Sequence, residues 1–165
     1  MFMKSKTKIP EIIFDHYIQE QWTKNEIKNV EIVVDFFQKL MNNHDFDYIL
    51  EKYWISPYLQ HNRAIPNEIE GVVSYVKTMV HRFPEYSFDV KKIFADWEYV
   101  ILHSHATFFS KHRGNEKKWF IITDTFKFNN WKLSEHWDSI QPIDPFSRFL
   151  ILITWGDQKN ENSIF

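Results

Sequence analysis

The pattern of apolar and polar positions changes once along the chain, from a helical period to a strand period. Before Pro84, apolar residues recur every three to four positions, which is typical of amphipathic helices. From Tyr86 onward, apolar and polar residues alternate, which is typical of half-buried strands. Helices followed by strands predict an α+β fold with an antiparallel sheet. The predicted helices cover residues 9–22, 25–41, 45–53 and 70–82, an extended segment covers 58–62, and the predicted strands cover 86–94, 99–109, 118–128 and 131–141.

One acidic residue interrupts the apolar side of the third predicted strand. Asp124 stands in the same alternation as Ile122 and Phe126, so we expect its carboxylate to point inwards. His136 and Asp138 are spaced two apart on the next strand, so their side chains share one face. A carboxylate among phenylalanines must be paired, protonated or used chemically. These three residues are therefore candidates for a functional site.

The turn around residues 129–131 decides which of these groups face each other. A loop of two residues would place Asp124 and His136 on opposite faces of the hairpin. A loop of three residues would set Asp124 across from His136, and Ile122 across from Asp138. We expect the three-residue loop, because it leaves the apolar residues of both strands facing one core.

Composition limits the class of protein. The chain has 165 residues of which 44% are hydrophobic, so we expect a single domain over residues 1–165. Within it, residues 1–24 are predicted to form an N-terminal helical extension and residues 142–165 a C-terminal tail. The formal charge is −2 with no basic stripe, which argues against a nucleic-acid partner. Aromatic residues make up 18% of the chain, which favours a lined pocket or a large subunit interface.

Other features bear on the chemistry and the location. The absence of cysteine excludes disulfides and thiol chemistry. Residues 1–8 are polar and basic and no apolar stretch follows them, so we expect no signal peptide. The apolar run at 149–155 is too short to span a bilayer. We therefore expect a cytoplasmic protein without a membrane partner.

Five stretches of the sequence carry a resemblance to a known family. They are Tyr58-Leu-Gln-His-Asn62, Ile93-Phe-Ala-Asp96, Val100-Ile-Leu-His-Ser-His-Ala106, Asp124-Thr-Phe-Lys127 and Glu135-His-Trp-Asp-Ser-Ile-Gln141. With them, between about Asn25 and Gln141, the chain resembles the SnoaL-like branch of the nuclear transport factor two-like superfamily, which is named after a polyketide cyclase. The resemblance implies a curled antiparallel sheet with helices that close a cone-shaped pocket, and commonly a homodimer through the outer face of the sheet.

The resemblance also implies a role for one carboxylate and shows where this chain departs from the branch. Asp138 matches the acid/base carboxylate of the cyclases, which moves a proton next to a carbonyl group in an aldol closure without metal or cofactor. Asp124 stands where a cyclase has a pocket-lining histidine, and Arg63 stands where the branch usually has proline. Trp97 and Trp131 replace glycines at turns, so we expect altered turns.

Two functions of different class remain open. The first is a cofactor-independent enzyme that performs acid/base chemistry, of the aldol cyclisation, isomerisation or hydrolysis type, on a small apolar or aromatic carbonyl compound. The second is a non-catalytic module that binds a small ligand in the same pocket, where the polar groups only satisfy one another. The predicted catalytic residues are Asp138, His136 and Asp124, and the predicted substrate-binding residues are Tyr58, Gln60, His61, Asn62, His103, His105 and Phe126.

A metal site and an assembly were also considered from the pattern. His103 and His105 share a strand face and could bind zinc together with His61 or Asp138. A histidine network without metal fits better, because the chain has no cysteine and the branch needs no cofactor, so no metal is predicted. Leu133 and Trp137 on the outer face of the last strand, with the apolar tail at 146–155, would expose much apolar surface, so a homodimer is expected.

Overall fold

The structure is a computed structural model that describes residues 8–54, 57–153 and 159–164. Its helices are α1 (Lys24–Phe37), which continues as one π-helical turn (Gln38–Asn42), α2 (Phe46–Tyr53), α3 (Glu68–Arg82) and α4 (Pro145–Ile153). Its strands are β1 (Leu59–Gln60), β2 (Ser87–Asp96), β3 (Tyr99–Thr107), β4 (Phe120–Asn129) and β5 (Lys132–Pro142). Short 3-10 turns occur at Phe14–His16 and Ser110–His112. The predicted α+β class is confirmed.

The strands form one curled, unclosed sheet in the order β1-β5-β4-β3-β2. The four long strands are antiparallel neighbours, and β1 runs parallel to β5 at the edge. Helices α1 and α3 cover the inner face, and their apolar residues merge with those of the strands into one core. Phe36 of α1 packs edge to face against Phe126 of β4, with ring centroids 6.1 Å apart. Phe37 of α1 packs in the same way against Phe88 of β2, with ring centroids 5.1 Å apart. Such pairs add to the free energy gained by burial.

Local signals in the sequence begin both α1 and α2. Thr23 caps α1 in a capping box with Glu26, in which each residue pairs with the other's backbone N–H. Glu26 also accepts the backbone N–H of Trp97, so the start of α1 is tied to the β2–β3 turn. Asp45 accepts the backbone N–H of Tyr48 and thereby caps α2.

The N-terminal helix predicted over residues 9–22 is wrong. Apart from the 3-10 turn, the described part of this segment is irregular, and its polar groups bind the body of the domain. Ile12 is buried and donates its N–H to the side chain of Gln38, while the Tyr17 hydroxyl donates to a carbonyl of β2. These tertiary contacts replace the hydrogen bonds that an isolated short helix would need.

The β4–β5 turn also differs from the prediction. Asn129 pairs with Lys132, so the loop has two residues, and both of them have positive φ angles (49° and 66°). This is the geometry of a type I′ turn. A bulge at Ser134 then adds one residue to β5, because Phe128 pairs with Leu133 but the preceding residue of β4 pairs with Glu135. The bulge keeps Asp124, His136 and Asp138 on the same face of the sheet, which the two-residue loop alone would not do.

The bulge changes the register within the hairpin and one surface expectation. Asp124 lies opposite Asp138, not opposite His136, and Ile122 lies opposite Ile140. Leu133, expected on the outer face, is 1% exposed because it pairs with the inward Phe128. The shared face of Asp124, His136 and Asp138 is nevertheless as predicted.

The C-terminal part forms a helix and an extended segment. Helix α4 leaves four large apolar side chains exposed, namely Phe146, Phe149, Leu152 and Ile153. Trp155, which the sequence placed in the same apolar tail, lies outside the described residues. No helix in the described ranges is long and apolar enough to cross a membrane.

Candidate functional site

A pocket that is partly open to solvent lies between the inner face of the sheet and helices α1 and α3. Most of its wall is apolar, and its polar groups come from β1 and the residues beside it, from α3, and from β4 and β5. The polar and charged lining residues are Gln60, Asn62, Asp124, His136 and Asp138. The apolar and aromatic lining residues are Phe36, Phe37, Leu40, Met41, Tyr58, Ile65, Val72, Tyr75, Val76, Tyr86, Phe88, Ile122, Phe126 and Ile140. A concave, largely apolar pocket with a few convergent polar groups is typical of a small-ligand site.

The polar wall contains two carboxylates and an imidazole in contact range. Asp124 of β4 and Asp138 of β5 are direct cross-strand partners, and His136 precedes Asp138 on the same face. One carboxylate oxygen of each aspartate and one ring nitrogen of His136 all lie within 4.8 Å of one another. The alternation of the strands and the bulge at Ser134 together bring these three side chains to one place.

A chain of hydrogen bonds runs through His136. Its Nδ1 lies 3.0 Å from Oε1 of Gln60, an amide oxygen that can only accept, so Nδ1 carries a proton. Its Nε2 lies 3.2 Å from Oδ1 of Asp124. Because an imidazole lone pair would repel a carboxylate lone pair, one proton must lie between these two atoms. Asp124 and His136 therefore act as a unit that holds one shared proton.

The environment of Asp124 favours its neutral form. Burial raises the pKa of the Asp124 carboxyl group, and the charge of Asp138 raises it further, while the bond to His136 partly opposes both effects. The second oxygen of Asp124, Oδ2, is buried and has no hydrogen-bond partner within the described residues. The same holds for Nε2 of Gln60. Both atoms belong to residues that line the pocket.

Asp138 is held in place by Asn62, which follows the neighbouring strand β1. The side-chain amide of Asn62 donates to both carboxylate oxygens of Asp138, at 2.9 and 2.8 Å. The orientation of that amide is fixed, since its oxygen accepts the backbone N–H of Ala64. Asp138 is partly exposed and lines the pocket, so a ligand can reach its carboxylate.

The described C-terminal residues brace the segment that carries these groups. Asn160 donates its side-chain amide to the carbonyls of Asn62 and Ile65, at 3.0 and 2.8 Å. Asn162 donates to the carbonyl of Gln60, at 2.8 Å. Residues 159–164 thus fix the end of β1 and the backbone that follows it, and with them the positions of Gln60 and Asn62.

The structure brings together seven of the ten residues predicted for the site. Tyr58, Gln60, Asn62 and Phe126 line the pocket together with the two carboxylates and His136. His61, His103 and His105 do not line it, and their placement there was wrong. The reason is the alternation itself: these histidines have the opposite parity to Gln60 and to the inward Leu102 and Ser104, so they leave the sheet on its outer face.

The outward histidines have structural contacts of their own. His61 stacks on Trp137 with ring centroids 4.2 Å apart, and its Nε2 lies 3.0 Å from a carboxylate oxygen of Glu135. His105 has its Nε2 at 2.7 Å from the carbonyl oxygen of Lys118. Neither zinc set suggested by the sequence is assembled among the described residues. The sheet lies between Asp138 and the pair His103 and His105, and strands β5 and β4 separate that pair from His61, which follows β1.

A different trio has the composition of a metal site. Asp124, His136 and Asp138 offer two carboxylates and an imidazole, and within the described ranges they are the only such group of three. These ligand types suit a divalent ion. An ion between them would have to displace the direct contact of His136 with Asp124.

Sequence reasoning missed two polar residues of the pocket, Tyr75 and Tyr86. Tyr75 lies on α3, within the helix predicted over residues 70–82. Its spacing of three from Val72 was the available signal, since such residues share a helix face. Tyr86 precedes β2 and was read only as the first apolar residue of a strand.

Comparisons with known proteins find relatives by structure and not by sequence. No protein-family model matches the sequence, and no curated protein matches it either. A proposed SnoaL-like polyketide cyclase from Jannaschia sp. CCS1 matches with a TM-score of 0.61 and 12% identity, over 84% of this chain and 100% of that chain. A proposed polyketide cyclase from Acidithiobacillus ferrooxidans matches with a TM-score of 0.56 and 18% identity, over 82% and 98% of the two chains.

A further match carries a different activity in its name. AclR, a proposed hydroxylase from Streptomyces galilaeus, matches with a TM-score of 0.55 and 17% identity, over 78% of this chain and 96% of its own. At such identities the likeness extends to the fold and not to the reaction. The fold of this chain is that shared by these solved structures, SnoaL-like proteins among them.

Proposed function

We propose that the protein catalyses cofactor-independent acid/base chemistry on a small, largely apolar carbonyl compound, with Asp138 as the group that takes and returns the proton. The observation that carries the proposal is the facing pair Asp124 and Asp138, with His136 beside it, on the wall of an apolar pocket. Asp124 is buried whereas Asp138 is partly exposed, and a pair of carboxyl groups in such different environments is suited to proton transfer. The fold neighbours named as cyclases support the reaction class only by analogy.

The three polar residues have different roles in this proposal. Asp138 is the proton acceptor, since its carboxylate lies at the accessible wall and Asn62 fixes its direction. Asp124 is buried and bonded to His136, so this unit orients the site and modulates the charge next to Asp138. We expect His136→Gln to lower the rate less than removal of Asp138, because His136 does not receive the substrate proton.

A non-catalytic ligand-binding module is the second candidate, and one observation favours it. Both oxygens of Asp138 already accept hydrogen bonds from Asn62, and Gln60, His136 and Asp124 form a connected chain. Buried polar groups that satisfy one another in this way also occur as purely structural networks. In such a module the polar wall would only fix the orientation of a ligand.

Exchange of α-protons with solvent separates the two candidates. A ligand is first found by a thermal-shift screen of aryl ketones, and its exchange is then followed by NMR in deuterated water with a chelator present. Asp138→Asn keeps the shape of the side chain but cannot accept the proton, so we expect the rate to fall by roughly 10²- to 10⁴-fold. Asp96→Asn is the matched control, because Asp96 is exposed at the end of β2, away from the pocket.

The outcomes are distinct. Equal exchange rates in wild type and Asp138→Asn would remove Asp138 from the mechanism. Binding of the ketone without exchange in either protein would favour the module. A fall in both Asp138→Asn and Asp96→Asn would show a general loss of folded protein, which the thermal-shift curve of each variant reports separately.

A further inference from the structure

One buried carboxylate oxygen of the pocket wall lacks the partner that its burial calls for. Oδ1 of Asp124 contacts Nε2 of His136, whereas Oδ2 is buried and makes no hydrogen bond within the part of the chain that the structure describes. Asp124 as a whole is 5% exposed, and a buried carboxylate oxygen without a partner is costly. A carboxylate binds a cation through one oxygen or both, so a cation beside Oδ1 can also pair Oδ2.

The spacing of the two atoms that share the proton suits a metal ion. Nε2 of His136 and Oδ1 of Asp124 are 3.2 Å apart. Two ligand atoms that each lie about 2.1 Å from one ion are roughly 3.0 to 3.4 Å apart in octahedral or tetrahedral coordination. An ion can therefore replace the shared proton, which leaves to solvent, without forcing these two atoms apart.

Asp138 supplies the third ligand and the path by which an ion enters. One of its carboxylate oxygens lies within 4.8 Å of the ligand atoms of Asp124 and His136, so it has to move towards them by at most about 1.8 Å. The Asp138 side chain is partly exposed and lines a pocket that is open to solvent, which leaves it room for this movement. An ion can reach the three ligands through the same opening.

Two of these ligands are already held from behind, as the ligands of metal sites are. A histidine that binds a metal through one ring nitrogen usually donates the N–H of the other to an acceptor, which fixes the orientation of the ring. Nδ1 of His136 donates to Oε1 of Gln60 at 3.0 Å, and Nε2 thereby faces the carboxylate of Asp124. The amide of Asn62 likewise donates to both oxygens of Asp138. The groups that orient the ligands are therefore in place before an ion binds.

We propose that Asp124, His136 and Asp138 bind a divalent first-row transition ion, such as Zn²⁺ or Mn²⁺, and that Gln60 and Asn62 orient two of the ligands. The imidazole favours such ions over Mg²⁺ and Ca²⁺, and the two carboxylates favour them over soft Cu(I). This inference goes beyond the proposed function and does not rest on it. An ion bound to Asp138 occupies the carboxylate that takes the substrate proton in that proposal, so ion binding and proton transfer exclude each other.

Calorimetric titration of the untagged, chelator-stripped protein with Zn²⁺ alone tests the site. We expect wild type to bind one ion per chain. Gln60→Met removes only the acceptor behind His136 and should weaken binding by roughly 10- to 100-fold, the usual worth of such a group. Asp124→Asn and His136→Phe each alter a ligand itself and should weaken binding by no less than that. His103→Phe and Asp96→Asn are the matched controls, since they remove an imidazole from the outer face of β3 and a carboxylate from the exposed end of β2.

A second measurement needs no variant, in case one of them fails to fold. Long-range ¹H–¹⁵N spectra of the wild type, with the ring signals assigned through the bonds to the backbone, report which imidazole nitrogen binds Zn²⁺. We expect the Nε2 resonance of His136 to move as one equivalent of Zn²⁺ is added, while the ring resonances of His103 stay in place.

Each outcome decides the inference separately from the proposed function. Binding of one ion that the pocket variants weaken and the two controls do not, together with the movement of the His136 resonance, supports it. Equal affinity in all variants, a shift at His103 and none at His136, or a wild type that binds no ion would overturn it. None of these measurements involves a ketone, so a failure to find α-proton exchange in the presence of a chelator would contradict the proposed function alone.

Discussion

Asp124 shows how one buried carboxyl group can couple chemistry to stability. It lies among apolar side chains, shares a proton with His136 and faces Asp138. The carboxyl group is solvated in the unfolded chain, where its ordinary pKa is about 3.9. In the folded protein, burial raises that pKa. The folded state therefore binds the proton more tightly than the unfolded state does, and the stability must depend on pH.

The first prediction at this scale concerns the pH dependence of stability. Because the pKa of Asp124 is raised in the folded state, its contribution is fully present below about pH 3.9 and is lost as the pH rises through the folded pKa. Asp124→Asn cannot ionise, so its free energy of unfolding does not fall in this way as the pH rises. We expect wild type to lose stability relative to Asp124→Asn above pH 4, by at most about 1.4 kcal/mol per pH unit until the folded pKa is passed.

Urea denaturation of both proteins at several pH values between about 4 and 8 gives this difference directly, because the loss of stability begins near the pKa of the unfolded chain. Asp96→Asn serves as the control, because an exposed carboxyl group should give a flat difference. A flat difference for Asp124→Asn as well would mean that His136 compensates fully for the burial of the carboxyl group.

At the residue scale, alternation along single strands predicts the shared inward face of Asp124, His136 and Asp138 correctly, but not the burial of Leu133, which lies beyond the bulge. The same alternation excludes His61 from the pocket, because its neighbours Gln60 and Asn62 line it. The hydrogen bonds of Asn62 to Asp138 join residues 76 positions apart, and no local pattern indicates them.

At the level of elements, the two hairpin turns carry backbone strain, which the sequence indicates only by tryptophans at turn positions where glycine is usual. Trp97, Asn130 and Trp131 all have positive φ angles, at 53°, 49° and 66°. Such a conformation is costly for a residue with a Cβ atom, and tryptophan gains little from it. The chain accepts this strain and adds a bulge at Ser134, whose hydroxyl donates to the carbonyl of Lys127 at 3.1 Å.

The prediction at this scale uses the turn between β2 and β3. Trp97 is 83% exposed, so its side chain contributes little packing, while its backbone carries the strain. Trp97→Gly removes the Cβ atom and Trp97→Ala keeps it. We expect the glycine variant to exceed the alanine variant in free energy of unfolding by about 1 kcal/mol, the cost of a left-handed conformation after the greater flexibility of unfolded glycine is subtracted.

Urea denaturation of wild type and both variants measures this difference. Far-ultraviolet circular dichroism of each variant checks that the hairpin is retained, since the Trp97 backbone also binds Glu26 and Asn29. An alanine variant as stable as the glycine variant would show that the turn bears no strain at this position.

At the level of the whole molecule, the order of helices and strands followed from periodicity because each element buries one face against the same core. Boundaries set by local chemistry, such as the Asp45 cap, were also readable. The N-terminal segment was not, because its conformation is set by contacts with Gln38 and the edge strand β2.

The last prediction concerns assembly. The outer face of the sheet presents Ile101, His103 and Trp137, all partly exposed, and α4 presents Phe149 and Leu152, the latter 73% exposed. Apolar surface on two sides of a small domain is unfavourable in water. We expect a two-fold homodimer, in which any one substitution occurs twice at the interface.

Sedimentation velocity at tens of micromolar protein tests this expectation and identifies the surface. Ile101→Lys places a charge on the outer face of the sheet, and Phe149→Lys places one on α4. If the sheets meet, Ile101→Lys should sediment as a monomer while Phe149→Lys remains dimeric, and the reverse result would assign the interface to α4. Glu51→Lys, on the exposed side of α2, controls for the change in net charge. Wild-type protein that sediments as a monomer, with undiminished solubility, would refute the dimer, because the exposed apolar residues would then be tolerated in water.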